Sequence, residues 1–266
     1  MESRMLPLAW KPIAAGGLIR LGSARDGGYI VPERAVLASS FLIGMGLNDD
    51  WQFEKEFRRL KDVGIVCFDH TVTWKFWLRY YVEQILRLRW TRLGRYADYR
   101  WFFSRPGVEH RPVRIGYDQP GEVSVAGLMK EFPTGNIFLK IDIEGSEYRI
   151  LGDVVKNSDR FTSVVIEFHD IDLHRARIDE FVAGMSNFSV VFLHANNFGG
   201  TDGQGDPLVV EMCLVRNDLL DAATPGDPGP ALPANTSRLP DIELRFAPAT
   251  ARGTSDVRHG VAAGTE

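Results

Sequence analysis

Three stretches of this 266-residue sequence place titratable side chains directly after apolar runs: Lys140-Ile141-Asp142-Ile143-Glu144-Gly145-Ser146-Glu147, Glu167-Phe168-His169-Asp170 and His194-Ala195-Asn196-Asn197. An apolar run ending in acids and histidines reads as a buried strand whose last residues reach a ligand. His169 and His194 have the chemistry of a general base, because an unperturbed imidazole changes charge near neutral pH. Asp142, Glu144 and Asp170 could instead hold a divalent metal that lowers the pKa of a hydroxyl. The residue types leave both routes open. Each residue also has a plainer use: Asp142 or Glu144 can cap a following helix, and His194 can be a satisfied core residue. Three strand ends loaded alike favour one shared catalytic site of Asp142, Glu144, His169 and His194.

A second constellation lies earlier in the chain. Gly44-Met45-Gly46-Leu47-Asn48-Asp49-Asp50 follows the apolar run from Ser40 to Ile43, and its glycines let backbone approach a ligand closely. Asp69 ends the next apolar run, 23 residues after Gly46, where an acid can accept hydrogen bonds from two ribose hydroxyls. A dinucleotide loop has a third glycine and a helix N-terminus open to pyrophosphate. Here Asn48, Asp49 and Asp50 fill the turn. Acids repel pyrophosphate but tolerate a ligand with an ammonium and a sulfonium and no phosphate. Those are the features of S-adenosylmethionine, with Gly44, Gly46, Asn48, Asp50 and Asp69 as its expected contacts.

These loops need a scaffold that brings strand ends to one edge. Seven strands are expected, near 40–43, 65–68, 114–115, 137–141, 163–168, 189–194 and 208–215. Helices are expected over 51–62, 123–131, 146–156 and 173–185. This alternation implies an α/β fold with a mainly parallel sheet and helices on both faces. The connection from Ala195 to Pro207 is Gly-rich and carries no helical pattern, so the last strand is expected to run antiparallel. The chain reads as one domain over 1–248. From 249 to 266 the composition offers little to bury, and a disordered tail is expected.

Composition bounds the rest. Net charge is −4 and 44% of residues are hydrophobic, which is globular and has no polyanion-binding balance. The two cysteines, Cys67 and Cys213, fall in apolar runs and read as reduced buried thiols. No run approaches the roughly 20 apolar residues of a membrane span, so a cytoplasmic protein is expected. Charge is nevertheless uneven. Lys75 to Arg114 holds ten Lys/Arg against three Asp/Glu. Within it, Trp74, Trp77, Leu78, Tyr81, Ile85 and Leu88 recur at helical spacing. An arginine- and aromatic-rich helical insertion over about 73–111 is expected, docked as a lid on the sheet edge. Its arginines suit an anionic glycan or lipid-linked partner, including a peripheral membrane contact, while nucleic acid is not expected.

LKIDIEGSEYRIL at Leu139–Leu151 resembles the signature of the FkbM-family methyltransferases. GMGLNDDWQFE at Gly44–Glu54 and DGGYIVP at Asp26–Pro32 resemble a related methyltransferase-like pattern. VVIEFHDID, HANNFGG and LPDIELRF at Leu239–Phe246 resemble a bacterial subgroup of it. The resemblance implies a Rossmann-like class I methyltransferase fold, S-adenosylmethionine as donor, and usually a hydroxyl acceptor on a sugar, glycan or natural product. The arginine-rich insertion departs from that pattern. Two other readings use the same residues: a non-catalytic nucleotide-binding module of this fold, and a metal-dependent hydrolase.

Overall fold

A computed structural model describes residues 5–24, 26–117, 119–132, 134–222 and 240–248. The expected tail, 249–266, lies outside the described residues. Among the described residues, eleven strands and seven α-helices run in the order β1 (Leu18–Gly22), β2 (Gly28–Pro32), α1 (Glu33–Ala38), β3 (Phe41–Met45), α2 (Gln52–Leu60), β4 (Gly64–Phe68), α3 (Trp74–Leu86), α4 (Arg95–Phe103), β5 (Val108–Arg111), β6 (Arg114–Ile115), β7 (Glu122–Val123), α5 (Val125–Glu131), β8 (Ile137–Ile141), α6 (Leu151–Lys156), β9 (Phe161–Phe168), α7 (Ile171–Gly184), β10 (Phe188–Ala195) and β11 (Val210–Arg216).

Seven strands form the main sheet in the order β10-β11-β9-β8-β3-β4-β5. All are parallel except β11, which inserts antiparallel between β9 and β10. The reversal follows from the 196–209 connection, which holds no crossover helix and so cannot carry the chain back to the other end of the sheet. Strand order switches direction at the β3–β8 pair, because chain leaves β3 toward β4 while β8 continues toward β9. A crevice opens at that point outside the carboxyl ends of the strands. The core divides into two apolar clusters, one per face. Ile43, Ile141, Ile166 and Phe168 belong to one, and Leu42, Phe53, Phe138 and Val165 to the other.

The structure corrects the sequence reading in four places. The third strand of the sheet is Val108–Arg111, whereas Arg114–Ile115 pairs separately with Glu122–Val123. The stretch Glu109-His110-Arg111 is polar because β5 is an edge strand, so it lacks the apolar signal of a central one. Residues 146–156 form a 3-10 turn at Glu147–Arg149 followed by the short α6, not one helix. The antiparallel pair β1–β2 was not expected; it packs its buried residues against the second core cluster. In α3 the buried side is Trp77, Tyr80 and Gln84. Trp74, Leu78, Ile85 and the following Leu88, members of the same expected stripe as Trp77, face solvent. Cys67 and Cys213 are free and buried, as expected.

Candidate active site

The crevice is a cavity of about 450 Å³ lined by the loop after β3, the ends of β4 and β8, the β1–β2 turn, and Phe76 and Arg79 of α3. That volume falls in the range of small-ligand sites. Gly46 makes the loop possible. It has φ +90, and a Cβ there would lie 1.6 Å from the Asp142 carbonyl oxygen. The loop is therefore pressed against the end of β8, where Asp142 N–H also donates to the Met45 carbonyl at 2.8 Å. Gly44 serves differently. It lies inside β3, and its missing side chain leaves room for Cys67 and Glu54. Gly46, Asn48, Asp50 and Asp69 line the cavity; Gly44 does not.

Asp69 organises the loop. Its Oδ2 accepts the N–H groups of Leu47 (2.9 Å) and Asn48 (2.8 Å), and its Oδ1 accepts the Thr71 N–H (2.8 Å) and hydroxyl (2.6 Å). Burial alone would raise this carboxyl, but the four donors outweigh it and hold the group below the ordinary aspartate range. Asp50 accepts the Gln52 N–H at 3.0 Å and pairs with Arg95 of α4 at 3.3 Å. Beneath the loop, Lys140 lies 3.4 Å from Glu54, with both side chains buried. Burial would lower the lysine, but the neighbouring carboxylates of Glu54 and Asp142 prevail and it stays protonated. Lys140 also reaches the Gly46 carbonyl at 3.4 Å, so a buried charge pair fastens the loop to α2.

A row of acids crosses the sheet edge beside the cavity. Glu167 on β9, Glu211 on β11 and His194 on β10 stand directly opposite one another in the ladders, and so share one face. Tyr29 from β2 donates to Asp142 at 2.9 Å and lies 3.4 Å from Glu167. Burial, then the charges of Asp142 and Glu211, push the Glu167 carboxyl up to about 10. Asp142 is also raised, by burial first and against the pull of Lys140 and His169.

His169 is held for use. Its Nδ1 lies 3.1 Å from Oε1 of Glu147, a carboxylate with no solvent exposure that also accepts the Ile143 and Gly145 N–H groups. Its Nε2 faces Glu144 and Glu167, each at 3.5 Å. Burial would lower this imidazole, but Glu147, Asp142 and Glu144 together raise it. Asn48, Glu144 and Asp170, three of the four described non-glycine residues with positive φ, sit around this site. Such strain persists where surrounding structure enforces a conformation, and it gathers at functional loops.

Of the residues read from sequence, Asp142, Glu144 and His169 come together: each offers a ligand atom, all within 4.8 Å of one another. This set has the shape of a cation site, with His169 in the place proposed for Asp170. His194 lies two strands further along. It is buried between Glu211 (3.4 Å) and Asp241 (3.7 Å). Neither histidine lines the cavity itself; His169 adjoins it through Asp142 and Glu144, which do. Glu147, Glu167, Glu211, Tyr29, Asp26, Lys140 and Glu54 carry much of the geometry without having been singled out. A charged residue within an apolar strand, such as Glu211 in Val209–Val215, was the available signal.

Residues 97–193 match the methyltransferase FkbM domain. No curated protein matches the chain. Among solved structures, an rRNA methylase from Streptococcus thermophilus is 11% identical with a TM-score of 0.37, covering 69% of this chain and 91% of that one. A precorrin-6y C5,15-methyltransferase from Geobacter metallireducens is 13% identical with a TM-score of 0.38, covering 69% and 84%. Fold and domain match define an α/β methyltransferase. The FkbM domain match spans the part of this fold from α4 to β10.

Proposed function

We propose that this protein transfers a methyl group from S-adenosylmethionine to a hydroxyl oxygen of a glycan, lipid-linked or natural-product acceptor. The observation that carries the reading is the Glu147–His169 pair set beside an acid-lined cavity under a strained glycine loop. The cavity fits the donor: Asp49, Asp50, Asp142 and Glu144 line one wall, a potential that favours ammonium and sulfonium groups over pyrophosphate. When bound, S-adenosylmethionine supplies a methyl carbon made electrophilic by the positive sulfur.

The chain's own residues would do the remainder. The loop at Gly46, Asn48 and Asp50, braced by Asp69, holds the donor in one orientation. Glu147 fixes the His169 tautomer with its proton on Nδ1, leaving Nε2 to accept the acceptor proton as the oxygen–carbon bond forms and the carbon–sulfur pair returns to sulfur. Glu144 stands 3.5 Å from Nε2 and stabilises the imidazolium that results. Arg79 and Arg114 line the cavity on the side of α3 and β6 and suit an anionic acceptor.

The outer side of α3 supports a lipid-linked or membrane-borne acceptor. Trp74 (70% exposed), Leu78, Val82 and Ile85 form a solvent-facing apolar stripe, continued by Leu86, Leu88 and Trp90, with Lys75, Arg87, Arg89 and Arg92 interspersed along the same segment. An apolar stripe fringed by cations is the make-up of a helix lying in an anionic interface. Among the described residues no helix is long and apolar enough to cross a membrane.

Calorimetry with S-adenosylmethionine tests the donor assignment, with one-to-one binding expected and no heat counting against it. Isotopically labelled methyl transfer to anionic and lipid-linked glycans tests the acceptor. An alkali-stable product means an ether, as proposed; an alkali-labile one means a methyl ester on a carboxylate and overturns the hydroxyl assignment.

A further inference from the structure

Asp26, Glu167 and Glu211 each present a carboxylate oxygen, and the three lie within 4.8 Å of one another. Two of these acids are buried and face each other across adjacent strands, an arrangement that is unfavourable when both carry charge. Glu211 is 2% exposed, and neither of its carboxylate oxygens has a hydrogen-bond partner. Its nearest base, His194 Nδ1, stands 3.4 Å from Oε2. Buried carboxylates in proteins are paired, hydrogen-bonded or bound to metal. Arg20, whose charge is felt at Glu211, donates to the Gly22 and Ser23 carbonyls.

The other atoms of the group are arranged to hold it still. Asn196 Nδ2 donates to both Asp26 (3.1 Å) and Glu167 (3.0 Å), drawing the hairpin turn toward β9. Tyr29 braces Glu167 from the same hairpin. This leaves the buried Glu211 carboxylate without a hydrogen-bond donor inside the three-acid group. We propose that Asp26, Glu167 and Glu211 form a site for one divalent cation of the Mg²⁺ or Mn²⁺ kind.

Three carboxylates supply the hard oxygen ligands such ions take, with water completing the sphere. The β1–β2 hairpin closes the site, which explains why a Gly-rich turn with an exposed acid lies over two buried ones. Asp26 also lines the cavity, so one ligand of the site borders the space proposed for donor and acceptor. The site uses different ligands from the Asp142, Glu144 and His169 group, which it adjoins where His169 lies 3.5 Å from Glu167, and it goes beyond methyl transfer because the ion binds without donor or acceptor.

The test uses the full chain, stripped with chelator and titrated with Mn²⁺ alone, followed by electron paramagnetic resonance and calorimetry. One Mn²⁺ per chain is expected, and saturation should raise the melting temperature. Asp26→Asn and Glu211→Gln should each weaken Mn²⁺ binding roughly 10–100-fold, the size of effect of losing a group that supports a metal, while Glu144→Gln leaves it unchanged. Asp26 is exposed, so its variant reports even if Glu211→Gln does not fold. Absence of Mn²⁺ binding overturns the site and means that a proton shared by the buried glutamates does the ion's work. Binding kept in Asp26→Asn but lost in Glu144→Gln also overturns it, placing the ion on the other cluster. S-adenosylmethionine titrations in chelator judge the methyl-transfer reading separately.

Discussion

The carboxyl edge of the sheet and the α3–α4 insertion are built on opposite rules. At the sheet edge, acids are driven inside: Glu54, Glu147, Glu167 and Glu211 are buried, held by ladders, backbone donors and Lys140. In the insertion, apolar groups are driven outside. Trp74, Leu78, Leu86 and Leu88 face solvent although Trp77 and Tyr80, on the opposite side of the same helix, are buried. The first region costs folding free energy to concentrate charge, and the second leaves apolar area unburied. Either departure is expected where function outweighs stability. The two meet at the cavity, which Phe76 and Arg79 line from one side and Asp142 and Glu144 from the other. Arg95 joins them physically, reaching from α4 to Asp50 and lying 4.5 Å over the Trp51 ring.

The sharpest way to break this contrast is to ask whether the buried acids serve chemistry. His169→Ala should lower turnover by about 10²–10⁴-fold, the usual worth of a positioned base, with donor affinity and melting temperature nearly unchanged. The same substitution at His194 should act on stability rather than turnover, because that ring is buried between Glu211 and Asp241, two strands away from the Asp142–Glu144–His169 group. Steady-state kinetics beside thermal unfolding separates the two. Equal effects at both histidines would dissolve the distinction.

Gly46→Ala should weaken S-adenosylmethionine binding by about 100-fold or more, near 2.7 kcal/mol. The new methyl would collide with the Asp142 carbonyl in a backbone conformation that alanine resists. Gly44→Ala, a tight fit beside Cys67 and Glu54 in β3, should lower the melting temperature more than the affinity. Calorimetry with differential scanning measurements distinguishes a loop effect from a strand effect.

Asp69→Ala should weaken donor binding at least tenfold, about 1.5–3 kcal/mol for a charged hydrogen-bonding group. The pH dependence follows from the direction of its shift. The folded-state carboxyl is held below the unfolded value near 3.9. It therefore stabilises the fold fully above that value, and the contribution fades as pH falls through the lower, folded one. Urea unfolding should show the stability gap between wild type and Asp69→Asn present at pH 7 and shrinking below about pH 4. A gap that widens in acid would contradict the assignment.

The smallest effect belongs to the exposed stripe. Trp74→Ser with Leu78→Ser should reduce cosedimentation with anionic phospholipid vesicles several-fold, yet leave the melting temperature within about a degree, since both side chains are exposed and surface changes of this kind are usually near neutral. Unchanged vesicle binding would indicate a protein partner or a second copy on this side. A large fall in melting temperature would mean that the stripe is packed after all.

Local pattern determined much of this protein. Apolar runs ending at Gly44, Asp69, Asp142 and Glu167 marked the parallel strands, and the helix-free 196–209 connection fixed β11 as antiparallel, because strand period and crossover length are properties of adjacent residues. The placement of Asp142, Glu144 and His169 in one group followed from parallel topology. Tertiary structure alone decided the rest. It turned the α3 stripe outward, because Trp74, Trp77 and Leu78 are all apolar and periodicity cannot rank two apolar sides of one helix. It placed the sheet's third strand at the polar Val108–Arg111, because an edge strand need not be apolar. It set Glu167 against Glu211, 44 residues apart in sequence, because strand register across an inserted antiparallel strand depends on the whole sheet. And it gave Glu147 to His169, because the turn at Glu144-Gly145 folds the chain back with φ values no propensity scale would assign to a glutamate.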